Sequence, residues 1–216
     1  MPKVNLFADS LRVVHTGNPE DIDKKYIKRK SSYILKVGVY SPGYNSNKNV
    51  EGAISFLDFA KGSVDFNSSF GLEDIHLLTC SFGKRVELTA EIYYVEYEDF
   101  LAAVLRSVAE QLAGKFIAYV KKLDLKRIAA IPAEILPVFI EVIEKGVERK
   151  SSMYEIGSGK LTRLDMGTHE IDLSVKKEVR RTLVFWRPGR DDYAREEVVV
   201  VPRGSNGNLR LLVETV

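Results

Sequence analysis

Two stretches of the chain concentrate the side chains that hold phosphates and stack on bases. Residues 24–30 read Lys24-Lys25-Tyr26-Ile27-Lys28-Arg29-Lys30, five cations in seven positions around one phenol ring. Residues 186–195 set Arg187, Arg190 and Arg195 beside Trp186 and Tyr193. Lysine and arginine neutralise phosphates and release counterions, and aromatic rings stack on unpaired bases. The combination predicts a site for single-stranded nucleic acid. Lys24, Lys25, Lys28, Arg29, Lys30, Arg187, Arg190 and Arg195 would face phosphates, and Tyr26, Trp186 and Tyr193 would face bases. Tyr40, Tyr44, Tyr93 and Tyr97 are further rings in or beside predicted strands. Against this, Glu20, Asp21 and Asp23 precede the first cluster. The whole chain carries 32 Lys+Arg and 30 Asp+Glu, a formal net charge of +2, which is not the basic excess that marks most nucleic-acid binders.

Residues for covalent or metal chemistry are sparse. His15, His76 and His169 lie far apart and form no H-E-x-x-H pattern, and one cysteine gives no zinc spacing. Cys80 sits among Leu77, Leu78 and Phe82, the setting of a small buried hydrophobe rather than a nucleophile. Gly157-Ser158-Gly159-Lys160 has the flavour of a phosphate loop. The full motif needs glycine where Tyr154 stands and Ser or Thr where Leu161 stands, so this stretch predicts a turn between strands. Neither G-x-S-x-G nor G-x-G-x-x-G occurs. Asp58 and Asp65 flank Lys61-Gly62, where a hairpin would set them face to face and a bound cation would relieve their repulsion; a solvated face is the simpler reading. Asp191 and Asp192 have Arg187, Arg190 and Arg195 for local ion pairs. The sequence predicts no catalytic residue, no metal and no cofactor.

The elements that must position these side chains come from periodicity. Ser32 to Tyr40 is β-branched and aromatic and stops at Ser41-Pro42-Gly43. Ala53 to Ala60 turns through Lys61-Gly62 into Ser63 to Phe66 as a hairpin, and Ile75 to Ser81 turns at residues 82–84 into Arg85 to Val95 as a second. In the last of these, Val86, Leu88, Ala90 and Ile92 alternate with Arg85, Glu87, Thr89 and Glu91, a strand with one face in the core and one in water. After Glu96 the period becomes helical. Phe100, Leu101, Val104, Leu105, Val108, Leu112, Phe116, Val120 and Leu123 predict an amphipathic helix of about seven turns. Between residues 125 and 147, β-branched Val138 to Ile143 favours a strand after Pro137, with a helix to Gly146 as the alternative. The last third reads as short strands, among them Glu178 to Arg187 with Val179, Arg181, Leu183 and Phe185 on one face. Gly204-Ser205-Asn206-Gly207-Asn208 reads as a hairpin loop.

These elements predict an α+β fold, mostly antiparallel sheets in a sandwich or two packed sheets, with one long central helix covering a sheet. One domain over residues 1–216 is favoured; a split would fall between 1–124 and 125–216. Hydrophobic residues at 45 % are enough for a core without disulfides. The start of the chain has no secretory pattern, and no apolar run approaches the roughly 20 residues of a membrane span. The expected setting is cytoplasmic, without a membrane partner. The favoured function is a non-catalytic binder of single-stranded nucleic acid. The alternative is a protein-interaction or self-assembly module, with a protein partner or its own copies. An enzyme with a dispersed site ranks third.

Overall fold

A computed structural model describes residues 3–17, 31–40, 50–57, 62–81, 86–96, 114, 117–121, 128–148, 153–186 and 194–216. It corrects the expected fold class. Among the described residues the protein is mostly β, with 64 % in strands, and the helices are few and short. Among the described residues the longest is α3, Leu136–Glu148; α1, Phe66–Ser69, and α2, Leu72–Ile75, have four residues each. Of the segment expected to form a seven-turn helix, only Gly114 and residues 117–121 are described, and they are helical.

The architecture is one open, curled antiparallel sheet rather than a sandwich. Its strands are β1 (Lys3–Val13), β2 (Ser31–Tyr40), β3 (Val50–Leu57), β4 (Ser63–Asp65), β5 (His76–Ser81), β6 (Glu87–Glu96), β7 (Ile128–Ala130), β8 (Met153–Leu161), β9 (Gly167–Val175) and β12 (Gly204–Thr215). The spatial order is β4-β1-β12-β9-β8-β6-β2-β3-β7, with β5 also on β1. β10 (Val179–Trp186) and β11 (Ala194–Val201) form a separate two-stranded ribbon.

A sheet of this length needs no helical layer if it folds over its own inner face, and this one does. Tyr33, Leu35 and Val37 of β2, Leu88, Ala90 and Ile92 of β6, Leu6 and Leu11 of β1 and Leu209 and Leu211 of β12 share one interior. The predicted alternation in β6 is present, with Val86, Leu88, Ala90 and Ile92 buried. Curling brings β5 across the inner face of β3. A Cβ on Gly52 would lie 1.8 Å from the Leu77 carbonyl oxygen, so the crossing exists only because that side chain is a hydrogen. Outside the curl, Ile34, Ala53, Tyr93, Val95 and Met153 meet Ile135, Phe139, Val142 and Ile143 in a second, smaller core.

Four local expectations give way for identifiable reasons. The two early hairpins do not form: β4 and β5 both pair with β1, while β3 pairs with β2 and β7, and β6 with β2 and β8. Residues 138–143 are helical, because the buried set Ile135, Phe139, Val142 and Ile143 repeats at 3.6 rather than 2, and Pro137 falls in the first turn, where a missing N–H costs little. Gly157-Ser158-Gly159 lies inside β8, not in a turn. A Cβ on Gly159 would lie 2.3 Å from the Asp172 carbonyl oxygen of β9, so glycine here serves close strand packing. Gly204 to Asn208 lies inside β12, with a bulge between Ser205 and Gly207; Gly207 has φ 129°, a conformation that favours glycine at bulges. The expected strand pair around it is absent, since β12 pairs with β1 and β9 and β11 pairs with β10.

Two glycine substitutions separate these effects. Gly52→Ala should lower stability by about 2 kcal/mol or more, as overpacking against fixed backbone does. Gly114→Ala, in a helical residue with nothing within 4 Å of the added Cβ, should raise it by up to about 1 kcal/mol. Denaturant titration of the two variants beside the parent chain measures both.

Candidate functional site

The residues chosen from sequence fall mainly outside the described structure. Lys24, Lys25, Tyr26, Lys28, Arg29 and Lys30 lie in 18–30, and Arg187, Arg190 and Tyr193 in 187–193, neither of which is described; nor are Tyr44, Tyr97 and Asp58. Trp186 closes β10 opposite Ala194, and Arg195 of β11 stands opposite Phe185, so these two hold adjacent register positions at the far end of the ribbon. Tyr40 is 38 % exposed. Tyr93 does not offer its ring to a ligand: it is buried in the outer core, and its hydroxyl donates to Glu91 Oε2 at 2.7 Å. Burial first, then the Glu91 carboxylate, pushes its phenol well above the usual tyrosine range.

The ribbon is a prolongation of the β9–β12 pair. Val175 is paired with Gly204 and Val179 with Val201, so the chain passes from β9 into β10 through residues 176–178 and from β11 into β12 through 202–203. At its root stands a buried cation. Arg181 is only 6 % exposed. Its guanidinium lies 4.2 Å from the ring centre of Tyr94 and 4.7 Å from that of Tyr154, two residues paired across β6 and β8. Its Nη1 donates to the Gly17 carbonyl oxygen at 3.4 Å. Gly17 is the last described residue before 18–30, so the root of the ribbon touches the chain seven residues ahead of Lys24.

The described residues just before Gly17 are held from a second side. Asn206 is fully buried; its Oδ1 accepts from the His15 N–H at 2.8 Å, and its Nδ2 donates to the carbonyl oxygens of His15, at 3.1 Å, and Ile156. One amide thus satisfies backbone groups of two segments, and leaving such groups unpaired costs about 1–3 kcal/mol each. The sequence held a signal for Arg181, an arginine in register with Val179, Leu183 and Phe185 on an apolar face. It held a misleading one for Asn206, whose glycine-rich surroundings imitate a turn.

Other polar groups are engaged structurally. Lys36 bridges Glu51 at 3.2 Å and Glu91 at 3.6 Å. Burial alone would lower its pKa, but the Glu91 and Glu51 carboxylates outweigh that and hold it above the usual lysine range. Asp65 caps α1 by accepting the Ser68 N–H at 3.0 Å, and that bond holds its carboxyl below the usual range. Among the described residues β3 and β4 do not pair with each other, and Asp58 lies outside them. Asp65 also lines a shallow cleft of about 320 Å³ with Asp9, Ser10, Asn67, Ser68 and Arg210, in which Arg210 Nε lies 3.5 Å from Asp9. His169 Nε2 contacts the Asp165 carbonyl oxygen at 2.7 Å. Burial pushes the Cys80 thiol up to about 11. Among the described residues no cluster of three His, Cys, Asp or Glu side chains is placed to hold a metal ion, and no helix is long and apolar enough to cross a membrane. No protein-family model, curated protein or solved structure matches this chain.

Two titrations follow from these environments. Cys80 should alkylate far more slowly in the native protein at pH 8 than in denaturant, since its buried thiol stays protonated; a mass-spectrometric time course reads this. His76, whose ring lies 5.4 Å from that of Phe7, is held below the ordinary histidine range by burial. Its neutral form therefore adds stability that is full above about pH 6.5 and is lost as pH falls through the folded value. His76→Gln should flatten that acid limb in denaturant midpoints measured across pH.

Proposed function

We propose that this protein is a non-catalytic binder of single-stranded nucleic acid, whose site combines the basic segment at 24–30 with the far end of the β10–β11 ribbon. The observation that supports the reading best is the Arg181–Gly17 contact, which brings the roots of the two segments together. From Arg181 to Trp186 is about 17 Å along a strand, and from Gly17 to Lys24 is at most about 25 Å of extended chain. In this reading both clusters contact one strand of nucleic acid. Lys24, Lys25, Lys28, Arg29, Lys30, Arg187, Arg190 and Arg195 neutralise phosphates in this reading, and Tyr26, Trp186 and Tyr193 stack on bases. The filled interior of the curled sheet points the same way, since it leaves binding to the periphery.

A second reading, a protein-interaction or self-assembly module, draws support from the ribbon itself. Among the described residues β10 and β11 pair only with each other, and Val198 is 53 % exposed. Unpaired edges of this kind template strand addition.

Fluorescence anisotropy with labelled oligonucleotides, single-stranded and duplex, over a salt series decides between them. The expected outcome is binding of the single strand at micromolar protein or below, falling steeply as salt rises. Replacing Lys24, Lys25, Lys28, Arg29 and Lys30 by glutamine should weaken it by about tenfold or more and flatten the salt slope, because each phosphate contact contributes to that slope. Absence of binding at low salt, together with a defined oligomer in light scattering, would transfer the conclusion to the assembly reading.

A further inference from the structure

We infer that Tyr94, Tyr154 and the Gly17 carbonyl form a guanidinium-binding site built by the main sheet, which Arg181 occupies in cis as the latch of the β10–β11 ribbon. With the latch withdrawn, the same seat takes a guanidinium from outside, such as the side chain of another arginine.

The seat has two aromatic walls. Tyr94 and Tyr154 are cross-strand partners in β6 and β8, with ring centres 6.4 Å apart and planes inclined by 40°. The Arg181 guanidinium lies 4.2 Å from one ring centre and 4.7 Å from the other, inside the roughly 6 Å over which a ring face attracts a cation. Its Nη1 also donates to the Gly17 carbonyl oxygen at 3.4 Å. A planar, delocalised cation can cover ring faces while its edge donates. An ammonium is a compact, strongly hydrated charge and fits that double task poorly. The seat therefore selects guanidinium over ammonium.

Each wall is braced by parts of the fold other than the ribbon. Tyr33 of β2 meets the Tyr94 ring edge-on at 5.7 Å. Near Tyr154, β8 bulges at Ile156, which falls between the pairs Ile92–Gly157 and Tyr93–Glu155, and the Ile156 carbonyl accepts from Asn206 of β12. The same Asn206 amide holds His15, two residues before Gly17. Gly17 has φ 78°, a conformation that favours glycine. None of these supports comes from β10 or β11, so the seat persists when Arg181 leaves it. Tyr154 keeps part of its surface exposed, which gives a small cation a way in.

The ribbon needs such a fastening. Val179 and Val201 pair with each other and still pack on the core. Beyond them β10 and β11 pair with no other strand among the described residues, and a two-stranded ribbon by itself is marginal in water. Arg181 stands two residues out from Val179 and so on the same face, where it ties the ribbon back onto β6 and β8.

Arg181→Ala with added N-ethylguanidinium, which replaces the atoms the substitution removes, tests both halves. In the variant this cation should raise the thermal midpoint, by about 3–6 °C at tenfold excess over its dissociation constant. The parent, whose seat is filled, should show no such shift, and ethylammonium at matched ionic strength should give none in either protein. Adding Tyr154→Leu to the variant should abolish the response. No shift, equal shifts for the two cations, or equal shifts in variant and parent would overturn the guanidinium site. Hydrogen exchange reads the latch. Amides of 180–182 and 198–200 should exchange about tenfold faster or more in Arg181→Ala while those of β2 keep their protection, and ethylguanidinium should not slow them again, because it is not tied to β10. Unchanged ribbon amides in the variant, or full recovery with the free cation, would overturn the latch. Should Arg181→Ala not fold, Arg181→Lys, whose ammonium holds the seat poorly, carries both readouts.

Discussion

The sheet has to bury its inner face against itself, and the contact that permits this is the crossing of β5 over β3 at Gly52. Antiparallel sheets commonly hide one face under helices or under a second sheet. Here the interior is lined by strand residues almost throughout, from Leu6 in β1 to Val213 in β12. The Leu77 carbonyl occupies the space that any side chain at position 52 would take. Gly159 against Asp172 is a second place where two backbones meet without a side chain between them. The curl follows from these approaches, and the helical residues 117–121 and α3 are left to cover part of the outside.

That arrangement decides where chemistry can take place. The interior is packed with aromatic and aliphatic side chains, including the Tyr33 ring stacked on Phe56 at 5.5 Å, and holds no described cluster of catalytic groups. Polar groups that do enter it have structural tasks. Asn206 closes backbone groups of two segments, and Arg181 packs its guanidinium against two tyrosine rings. On the outer face Lys36, Glu51, Glu91 and Tyr93 form a continuous network beside α3.

Strands were legible in the sequence where one face is buried and the other wet, as in Val86 to Ile92, and where β-branched and aromatic residues run together, as in Ser32 to Tyr40. Pairing was not. A local reading joins each strand to its successor, yet β4 and β5 both return to β1, because the curl rewards partners distant in sequence. Glycine was the most misleading residue. At 157–159 and 204–208 it marks close packing and a bulge within strands, and composition alone cannot separate those uses from a turn. The α3 segment misled for a different reason: its β-branched content suggests a strand, while the spacing of Ile135, Phe139, Val142 and Ile143 is helical. Of the candidate site, the two basic clusters were plain in the sequence. Arg181, which meets Tyr94, Tyr154 and Gly17, was visible only as an arginine out of place on an apolar face.

The pairing of β1 with β12 joins Val4 to Thr215 and Val13 to Gly207. During synthesis, β1 emerges almost the whole length of this sheet ahead of the strand that completes it. β4 and β5 can occupy its one edge early, but the other stays open to solvent until residues 207–215 leave the ribosome. An apolar strand with an unsatisfied edge is a template for wrong partners, and closing so long a loop is slow. Folding of this chain is therefore a late, concerted event, and crowded nascent copies are the state in which it is most exposed to aggregation and most dependent on chaperones.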